Sequence, residues 1–259
     1  MARRVNDLAE DIRPEVTVAP RAMAGALYPP QTEDHYDRVV SLTRDASLVF
    51  AKSFFRPRRS FLVAKRVLDV VFSLIAIAFL APVLTAIGIA IAATSKGPVL
   101  FRQQRVGLNN TPFTLYKFRS MYVDMQDVSG IAHTVERDPR VTRVGWFIRR
   151  TYLDELPQLL NVLTGDMSLV GPRAQVAGMR AVGMNYEELV PNYRTRHIVK
   201  PGITGLAQVR GFRGEIRDVA HAIARVDADL EYVSNAHLWL DLRILLLTVP
   251  SVILGRAKC

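Results

Sequence analysis

The chain contains very little cysteine. Cys259 is the single cysteine among the 259 residues, so an intramolecular disulfide is impossible and a metal site built from several cysteines is excluded. Glycine (15 residues) and proline (14 residues) occur at ordinary levels, which excludes collagen-like and low-complexity chains. Hydrophobic residues make up 49% of the sequence, so a chain that is disordered throughout is also excluded.

Acidic residues are in the minority. Asp and Glu number 24 against 34 Lys and Arg, which gives a formal net charge of +10. A basic protein binds nucleic acid, anionic lipid or small anionic substrates, and the position of the charges separates these partners. One basic cluster directly precedes an apolar run, which favours a membrane-surface anchor and predicts no nucleic-acid partner. Its members are Lys52, Arg56, Arg58, Arg59, Lys65 and Arg66.

Residues 1–60 are predicted to form a weakly ordered leader. Five of the 14 prolines lie at or before position 57, and apolar periodicity is poor apart from a short helix predicted around 39–50. The sequence of this leader indicates no function.

The apolar run of residues 67–94 contains one charge, Asp69. As a helix it would extend about 42 Å, which exceeds the hydrocarbon layer of about 30 Å. Soluble helices of this length normally carry a polar stripe, so a membrane segment over 61–95 is favoured over a buried core helix.

Two features of this run favour a re-entrant hairpin over a straight span. Basic residues follow it (Lys96, Arg102 and Arg105) as well as precede it, and the positive-inside rule places both groups in the cytoplasm. Pro82 lies near the middle and is expected to break or kink the helix. We therefore predict a bend near Ala81-Pro82, with a kinked spanning helix as the alternative.

Residues 96–259 are predicted to form one domain. Strands are expected at 99–102 and 113–118, joined by a turn at 107–110. Helices are expected at 143–150, from an N-cap at Asp154 to Gly165, and at 215–233. The apolar residues 238–254 are expected to form an amphipathic helix in the membrane interface.

Several segments of this domain are richer in charge than folding requires. Cations that can bind phosphate lie at Lys117, Arg119, Arg149, Arg150 and Arg173. Asp154 and Glu155 are adjacent carboxylates, which suit Mg²⁺ binding, nucleophilic attack or proton transfer. From spacing alone, helix capping with surface ion pairs is an equally good interpretation of this pair.

The sequence resembles the bacterial sugar transferase family, the monotopic polyprenyl-phosphate hexose-1-phosphate transferases, also called phosphoglycosyl transferases. The resemblance covers about residues 65–255. It is carried by Lys65-Arg66-Val67-Leu68-Asp69, Lys117-Phe118-Arg119-Ser120-Met121, Leu153-Asp154-Glu155-Leu156-Pro157-Gln158-Leu159, Gly165-Asp166-Met167-Ser168-Leu169-Val170-Gly171-Pro172-Arg173 and Lys200-Pro201-Gly202-Ile203-Thr204-Gly205-Leu206.

The resemblance implies transfer of a sugar-1-phosphate from a UDP-sugar to undecaprenyl phosphate, with release of UMP, as the first step of exopolysaccharide or glycoconjugate assembly. It implies that Asp154 is the nucleophile and forms a phosphosugar-aspartyl intermediate, and that Glu155 lies near a Mg²⁺ cofactor, for which Asp154 and Glu155 are the expected ligands. It also implies phosphate or sugar contacts for Lys117, Arg119, Arg149 and Arg173. The implied fold is a hairpin in membrane lipid, with its bend at Pro82, on the cytoplasmic face of the bacterial inner membrane. The resemblance further implies that residues 96–259 form a cytoplasmic catalytic domain, so that the whole fold is of the α/β class and mainly helical.

Some positions depart from the family pattern, and some functional alternatives stay open. Ala174, Ala207, Ala81 and Tyr152 replace a usual proline, tryptophan, serine and small residue. A membrane-anchored scaffold without activity and a membrane-tethered phosphohydrolase that uses Asp154 are the competing interpretations. The sequence leaves open the sugar, the polysaccharide and whether the chain forms a homo-oligomer.

Overall fold

A computed structural model describes residues 57–125, 138–181, 183–190, 192–212, 214, 216 and 218–254. Most of the predicted leader, including its helix around 39–50, lies outside these residues. Within them, the helices are α1 (Arg59–Thr94), α2 (Arg143–Arg150), α3 (Gln158–Thr164), α4 (Tyr186–Leu189), α5 (Leu206–Val209), α6 (Val219–Asn235) and α7 (Leu238–Leu254). The strands are β1 (Leu100–Val106), β2 (Pro112–Phe118), β3 (Ser168–Val170), β4 (Arg180–Ala181), β5 (Met184–Asn185) and β6 (Gly202–Thr204). The predicted mainly helical character is confirmed, and the sheet content is small.

Helix α1 runs without interruption through Pro82. The predicted break at Ala81-Pro82 is not present in the secondary structure, and the re-entrant hairpin is not confirmed. A proline removes one backbone hydrogen bond, and the apolar residues on both sides propagate the helix across it. Among the described helices, α1 is the one long and apolar enough to cross a membrane, and 11% of its most apolar window is buried inside the protein.

Both ends of α1 contact the domain that follows it. Near its start, Lys65 Nζ donates a hydrogen bond to Asp241 Oδ2 over 2.7 Å. Near its end, Ile87 and Ile91 are buried in a cluster with Phe118. Large apolar side chains between these contacts are exposed, namely Phe72, Leu74, Ile75, Phe79 and Val83.

Asp69, the one charge of the apolar run, is buried between α1 and β3. Its Oδ1 accepts hydrogen bonds from Ser168 Oγ (3.1 Å) and from the backbone N–H of Leu169 (2.9 Å). The carboxylate is therefore bound by protein donors, which makes a charge compatible with an otherwise apolar helix.

Two pairs of strands position the site described below. Strands β1 and β2 form an antiparallel hairpin in which Leu100 pairs with Phe118 and Val106 with Pro112, so the predicted strands are confirmed. Strands β3 and β6 pair in parallel, with Ser168 opposite Gly202. The parallel pair brings together two motifs that lie far apart in the sequence.

The helices of the domain follow the sequence pattern with two corrections. Helix α2 occupies the predicted residues 143–150, and α3 ends at Gly165, whose φ of 95° is left-handed. The prediction that Asp154 is the N-cap of α3 is wrong, because Asp154 lies in a separate 3₁₀ turn and α3 begins after Pro157. Helix α6 begins at residue 219 rather than 215, where the Asp218 side chain accepts a hydrogen bond from the His221 N–H.

Candidate active site

The site centres on the 3₁₀ turn Leu153–Glu155. Tyr152 enters this turn with a φ of 58°, a left-handed conformation that is uncommon for a bulky residue and is often found at functional sites. Asp154 is 8% exposed, and among the described residues its carboxylate accepts no hydrogen bond. A buried carboxylate without donors is costly to keep ionised, so its oxygens are reactive when they are charged.

The neighbouring carboxylate, Glu155, accepts three hydrogen bonds from two cations, two at Oε1 and one at Oε2. Lys117 Nζ donates to Glu155 Oε1 over 2.8 Å. Arg173 donates to both oxygens, Nη1 to Oε2 over 3.0 Å and Nη2 to Oε1 over 2.5 Å. This paired geometry uses the planar fork of the guanidinium, so Arg173 and Lys117 are held next to the turn.

Burial and charge separate the ionisation of the two acids. Burial raises the pKa of Asp154 to about 6, although Lys117 and Arg149 oppose this shift. Burial would also raise the pKa of Glu155, but Arg173 and Lys117 hold it well below its ordinary value. Near neutral pH Glu155 therefore stays ionised, whereas Asp154 is close to its pKa and takes up a proton easily.

The backbone around Arg173 is fixed by close approach of two glycines. Arg173 and Gly202 form an isolated parallel β-bridge, and the Gly202 N–H donates a hydrogen bond to the Pro172 carbonyl over 2.9 Å. A Cβ atom on Gly171 or on Gly202 would overlap the backbone of the opposite segment. The Gly-Pro-Arg and Pro-Gly-Ile-Thr-Gly motifs thus act as one unit that positions the Arg173 side chain.

Helix α2 brings Arg149 to the same region. Thr142 caps the helix by accepting a hydrogen bond from the Gly145 N–H over 2.8 Å. Gly145 allows the helix to touch the backbone of Ser120, because a Cβ atom there would overlap it. One turn later, Arg149 Nη1 lies 3.4 Å from Ser120 Oγ, and its charge acts on Asp154.

Asn161, which the sequence analysis missed, attaches α3 to the hairpin. It is fully buried, its Oδ1 accepts a hydrogen bond from the Tyr116 N–H (3.0 Å), and its Nδ2 donates to the Thr114 carbonyl (2.7 Å). The sequence signal was a polar residue inside an apolar helical stretch. These bonds fix the distance between the turn and Lys117 on β2.

The predicted site residues do not all come together. Asp154, Glu155, Lys117, Arg149 and Arg173 form one cluster.

Arg119 is not part of this cluster. It is buried, and its Nη2 donates to the carbonyl and hydroxyl oxygens of Ser95 at the end of α1 (2.7 and 2.8 Å). Strand β2 ends at Phe118, so the two-residue alternation that would place Arg119 beside Lys117 ends there too. Pro82 lies in the exposed middle of α1, outside the cluster.

A small cavity of about 20 Å³ adjoins the cluster. Lys117 and Arg173 line it together with Gln158, Gly202 and Arg105. In the sequence, Arg105 is one of the basic residues that follow the apolar run, and the pattern does not predict it as a site residue. The β1–β2 pairing turns it toward the site instead.

A fully buried ion pair between Arg196 and Asp229 supports the backbone of Arg173. Arg196 Nη2 donates to the Arg173 carbonyl over 2.8 Å, and its Nε donates to Asp229 Oδ2 over 3.0 Å. Arg196 and Asp229 are 1% and 2% exposed. Neither residue was predicted from the sequence, because nothing in the local pattern links positions 33 residues apart.

The donor set at the turn fits Mg²⁺ only when a substrate completes it. Among the described residues no group of three or more His, Cys, Asp or Glu side chains could hold a metal. Mg²⁺ is commonly bound by one or two carboxylates together with substrate phosphates and water. Asp154, free of hydrogen bonds to described residues, and Glu155, whose Oε2 accepts a single hydrogen bond, match that smaller set.

Comparisons with known proteins give a consistent picture. Residues 60–255 match the family model described as bacterial sugar transferase. An exopolysaccharide production protein of Rhizobium leguminosarum bv. phaseoli is 55% identical over 190 residues, which cover 73% of this chain and 95% of that protein.

Two larger relatives carry more specific names. The UDP-glucose:undecaprenyl-phosphate glucose-1-phosphate transferase of Escherichia coli K12 is 46% identical over 71% of this chain and 39% of its own length. The UDP-N-acetylgalactosamine-undecaprenyl-phosphate N-acetylgalactosaminephosphotransferase of Aeromonas hydrophila is 41% identical over 74% of this chain and 44% of its own length. The chain therefore spans well under half of these two proteins.

Proposed function

The chain belongs to the bacterial sugar transferase family, and we propose that it transfers a sugar-1-phosphate from a UDP-sugar to undecaprenyl phosphate and releases UMP. The resulting lipid-linked sugar would begin assembly of an exopolysaccharide or glycoconjugate. One observation carries this proposal: two adjacent carboxylates have different surroundings. Asp154 is buried and accepts no hydrogen bond from the described residues, whereas Glu155 is held by two cations.

Asp154 is the nucleophile of the proposed reaction. An oxygen of its ionised carboxylate attacks the β-phosphorus of the UDP-sugar and forms an acyl-phosphate bond. The bond from that phosphorus to the bridging oxygen breaks, and its electron pair leaves with UMP. Undecaprenyl phosphate then attacks the same phosphorus, which frees the Asp154 carboxylate and yields the lipid diphosphate sugar.

The cations around the turn stabilise the charge of the diphosphate. Arg173 and Lys117 are held by Glu155, and Arg149 lies near Asp154 on α2. Preorganised cations stabilise the transition state of phosphoryl transfer without reorganising during the reaction. Glu155 thus keeps two of them in place, and its low pKa keeps it ionised while it does so.

Mg²⁺ is part of the proposal because the donor set fits it. Asp154 and Glu155 would hold the ion together with substrate phosphate oxygens, and the ion would neutralise charge on the diphosphate. The chain's own contribution is to present the two carboxylates on one short turn.

A membrane location suits a lipid acceptor. The exposed apolar side chains of α1 continue on α7, where Trp239, Leu246 and Val249 are exposed. The two helices are in contact, and an apolar groove of about 430 Å³ lies between them. We propose that this surface lies in the cytoplasmic leaflet of the inner membrane, where it brings the site to the lipid phosphate.

Release of UMP by the purified protein tests the proposal. The protein in detergent or nanodiscs is incubated with Mg²⁺ and UDP-glucose, UDP-galactose, UDP-N-acetylglucosamine or UDP-N-acetylgalactosamine, with and without undecaprenyl phosphate. We expect multiple turnovers of UMP from at least one donor only when the lipid is present. Turnover without lipid would indicate a phosphohydrolase, and no UMP from any donor would favour a scaffold.

A further inference from the structure

Arg105 lies on the inner face of the β1–β2 hairpin. Along β1, Gln103 is buried and Arg105 half-buried, whereas Arg102 and Gln104 are exposed. This alternation is that of a strand with one covered face. Arg105 therefore points toward the domain and lines the cavity that Lys117 and Arg173 also line.

Arg105 differs from the other two cations in having no counter-charge. Its Nη2 donates to the side-chain oxygen of Gln103, and its Nε is buried without a hydrogen-bond partner. Within the described part of the chain its guanidinium forms no ion pair. Lys117 and Arg173, in contrast, are both paired with Glu155.

The surroundings penalise this unpaired charge. Burial and the nearby Arg173 lower the pKa of Arg105 to about 10, and Glu155 offsets the shift only in part. The guanidinium still carries its proton at neutral pH. A partly buried cation that lacks an acid is stabilised when a bound anion supplies one.

The position of Arg105 indicates which phosphate it meets. Arg105 lines the cavity together with Lys117 and Arg173, whereas neither Asp154 nor Arg149 lines it. The attacked β-phosphorus must lie against Asp154, so Arg105 is nearer the far side of the diphosphate. A cavity of about 20 Å³ has room for about one water-sized group, such as a phosphate oxygen.

Resting on the proposed function, we infer that Arg105 binds the α-phosphate of the UDP-sugar and stabilises the negative charge that develops there as UMP leaves. Arg105 is then a substrate-binding residue of the first half-reaction, in which the Asp154–phosphorus bond forms and the bond to the bridging oxygen breaks. It takes no part in the second half-reaction, because UMP has left before undecaprenyl phosphate attacks.

The test compares Arg105→Gln and Arg105→Lys with wild type and with Arg102→Gln. Arg102 is the matched control because it lies on the same strand, is exposed on the opposite face and contacts the ring of Tyr116. Three quantities are measured: the Kd of UMP by calorimetry, the single-turnover rate of UMP release, and the rate at which nucleotide-free phosphosugar-enzyme transfers to undecaprenyl phosphate.

We expect Arg105→Gln to weaken UMP binding and to slow UMP release by about tenfold to a hundredfold, the effect of losing one charge-assisted hydrogen bond. Arg105→Lys should fall between Arg105→Gln and wild type, since it keeps the charge but not the fork. Transfer from the preformed intermediate should stay within about twofold of wild type in every variant, and Arg102→Gln should match wild type throughout.

Two results would overturn the inference. One is UMP affinity within about twofold of wild type in both Arg105 variants, and the other is equal slowing of the two half-reactions. Thermal unfolding of each variant checks that it is folded. If wild type releases no UMP from any donor, the proposed function fails, and UMP binding alone still decides the role of Arg105.

Discussion

At the scale of single residues, the ionisation of Asp154 controls the proposed chemistry. Burial raises its pKa to about 6, so the nucleophile takes up a proton at a higher pH than an exposed aspartate would. Single-turnover UMP release at low donor concentration should therefore fall about tenfold per pH unit below about pH 6. A rate that stays constant down to about pH 5 would contradict the role of Asp154 as the ionised nucleophile.

The same shift predicts a stability gain when the charge is removed. Folding raises the pKa of Asp154 from 3.8 to about 6, so wild type loses stability as pH rises through that interval and the full loss is present above it. Asp154→Asn should raise the free energy of unfolding by up to about 3 kcal/mol at about pH 8, and by little near pH 4. Urea unfolding at both pH values measures the difference.

The exposed Asp124 provides the control for this comparison. Asp124→Asn should change the free energy of unfolding by no more than about 0.5 kcal/mol at either pH, as is usual for surface substitutions. An Asp154→Asn protein that is less stable than wild type at about pH 8 would mean that the site does not strain the carboxylate.

The placement of residues in the site was predictable from sequence where a motif is local and not where partners are distant. Asp154 and Glu155 stand in one unbroken segment and were predicted together. The hydrogen bonds to Glu155 come from Lys117 and Arg173, which lie 38 and 18 residues away in the sequence and reach it through tertiary packing. Arg105 was predicted only as one of the basic residues that follow the apolar run, because only the pairing of β1 with β2 shows on which face of the hairpin it lies.

At the scale of structural elements, the ion pair between Arg196 and Asp229 supports the segment that carries Arg173. Asp229→Asn leaves Arg196 buried without a counter-charge and should lower the free energy of unfolding by about 3–5 kcal/mol. Glu187→Gln breaks the neighbouring ion pair with Arg194, in which the Arg194 side chain is 27% exposed and the Glu187 side chain 31%. This variant should lower the free energy of unfolding by about 0–1 kcal/mol. Equal losses in the two variants would contradict the supporting role of the buried pair.

The contacts of α1 at both ends give a prediction about topology. A straight helix of 36 residues would extend about 54 Å, beyond the hydrocarbon layer of about 30 Å. Lys65 and Ile91 nevertheless both contact the same domain, so a crossing helix would require that domain on both sides of the membrane. We predict that positions 58 and 96 face the same compartment.

Labelling of cysteines introduced at 58 and 96, on a Cys259→Ser background, checks this prediction. An impermeant maleimide should label neither position in intact cells and both after the membrane is opened. A cysteine at 79, where Phe79 is 82% exposed in the middle of α1, should resist labelling in both states because lipid covers it. Labelling at 58 but not at 96 in intact cells would show a straight span.

Element boundaries followed from sequence where caps are strong. Helix α2 has Thr142 as its N-cap, and α3 ends at a left-handed Gly165, and both predicted boundaries are confirmed. The break at Pro82 was expected from the ring alone, but the helix continues through it because one lost hydrogen bond is offset by the apolar turns on either side. The bend itself stays a prediction.

At the scale of the whole molecule, the apolar helix α1 and the candidate site belong to one structure. The domain divisions 1–60, 61–95 and 96–259 remain predictions, but α1 is joined to the domain through Asp69 and Lys65. The β3 residues beside Asp69 lead directly into the Gly-Pro-Arg segment that carries Arg173. Under the proposed function, the depth of α1 in the membrane would therefore also set the position of the site relative to the lipid phosphate.

The covalent intermediate on Asp154 tests the central proposal most directly. The purified protein is incubated with the UDP-sugar that supports turnover, without undecaprenyl phosphate, and analysed by intact mass and peptide mapping. We expect an added mass of one sugar-phosphate on the peptide containing Asp154, equimolar UMP, loss of the adduct when the lipid is added, and no adduct on Asp154→Asn. An adduct on another residue, or turnover by the Asp154→Asn protein, would contradict the assignment of Asp154 as the nucleophile.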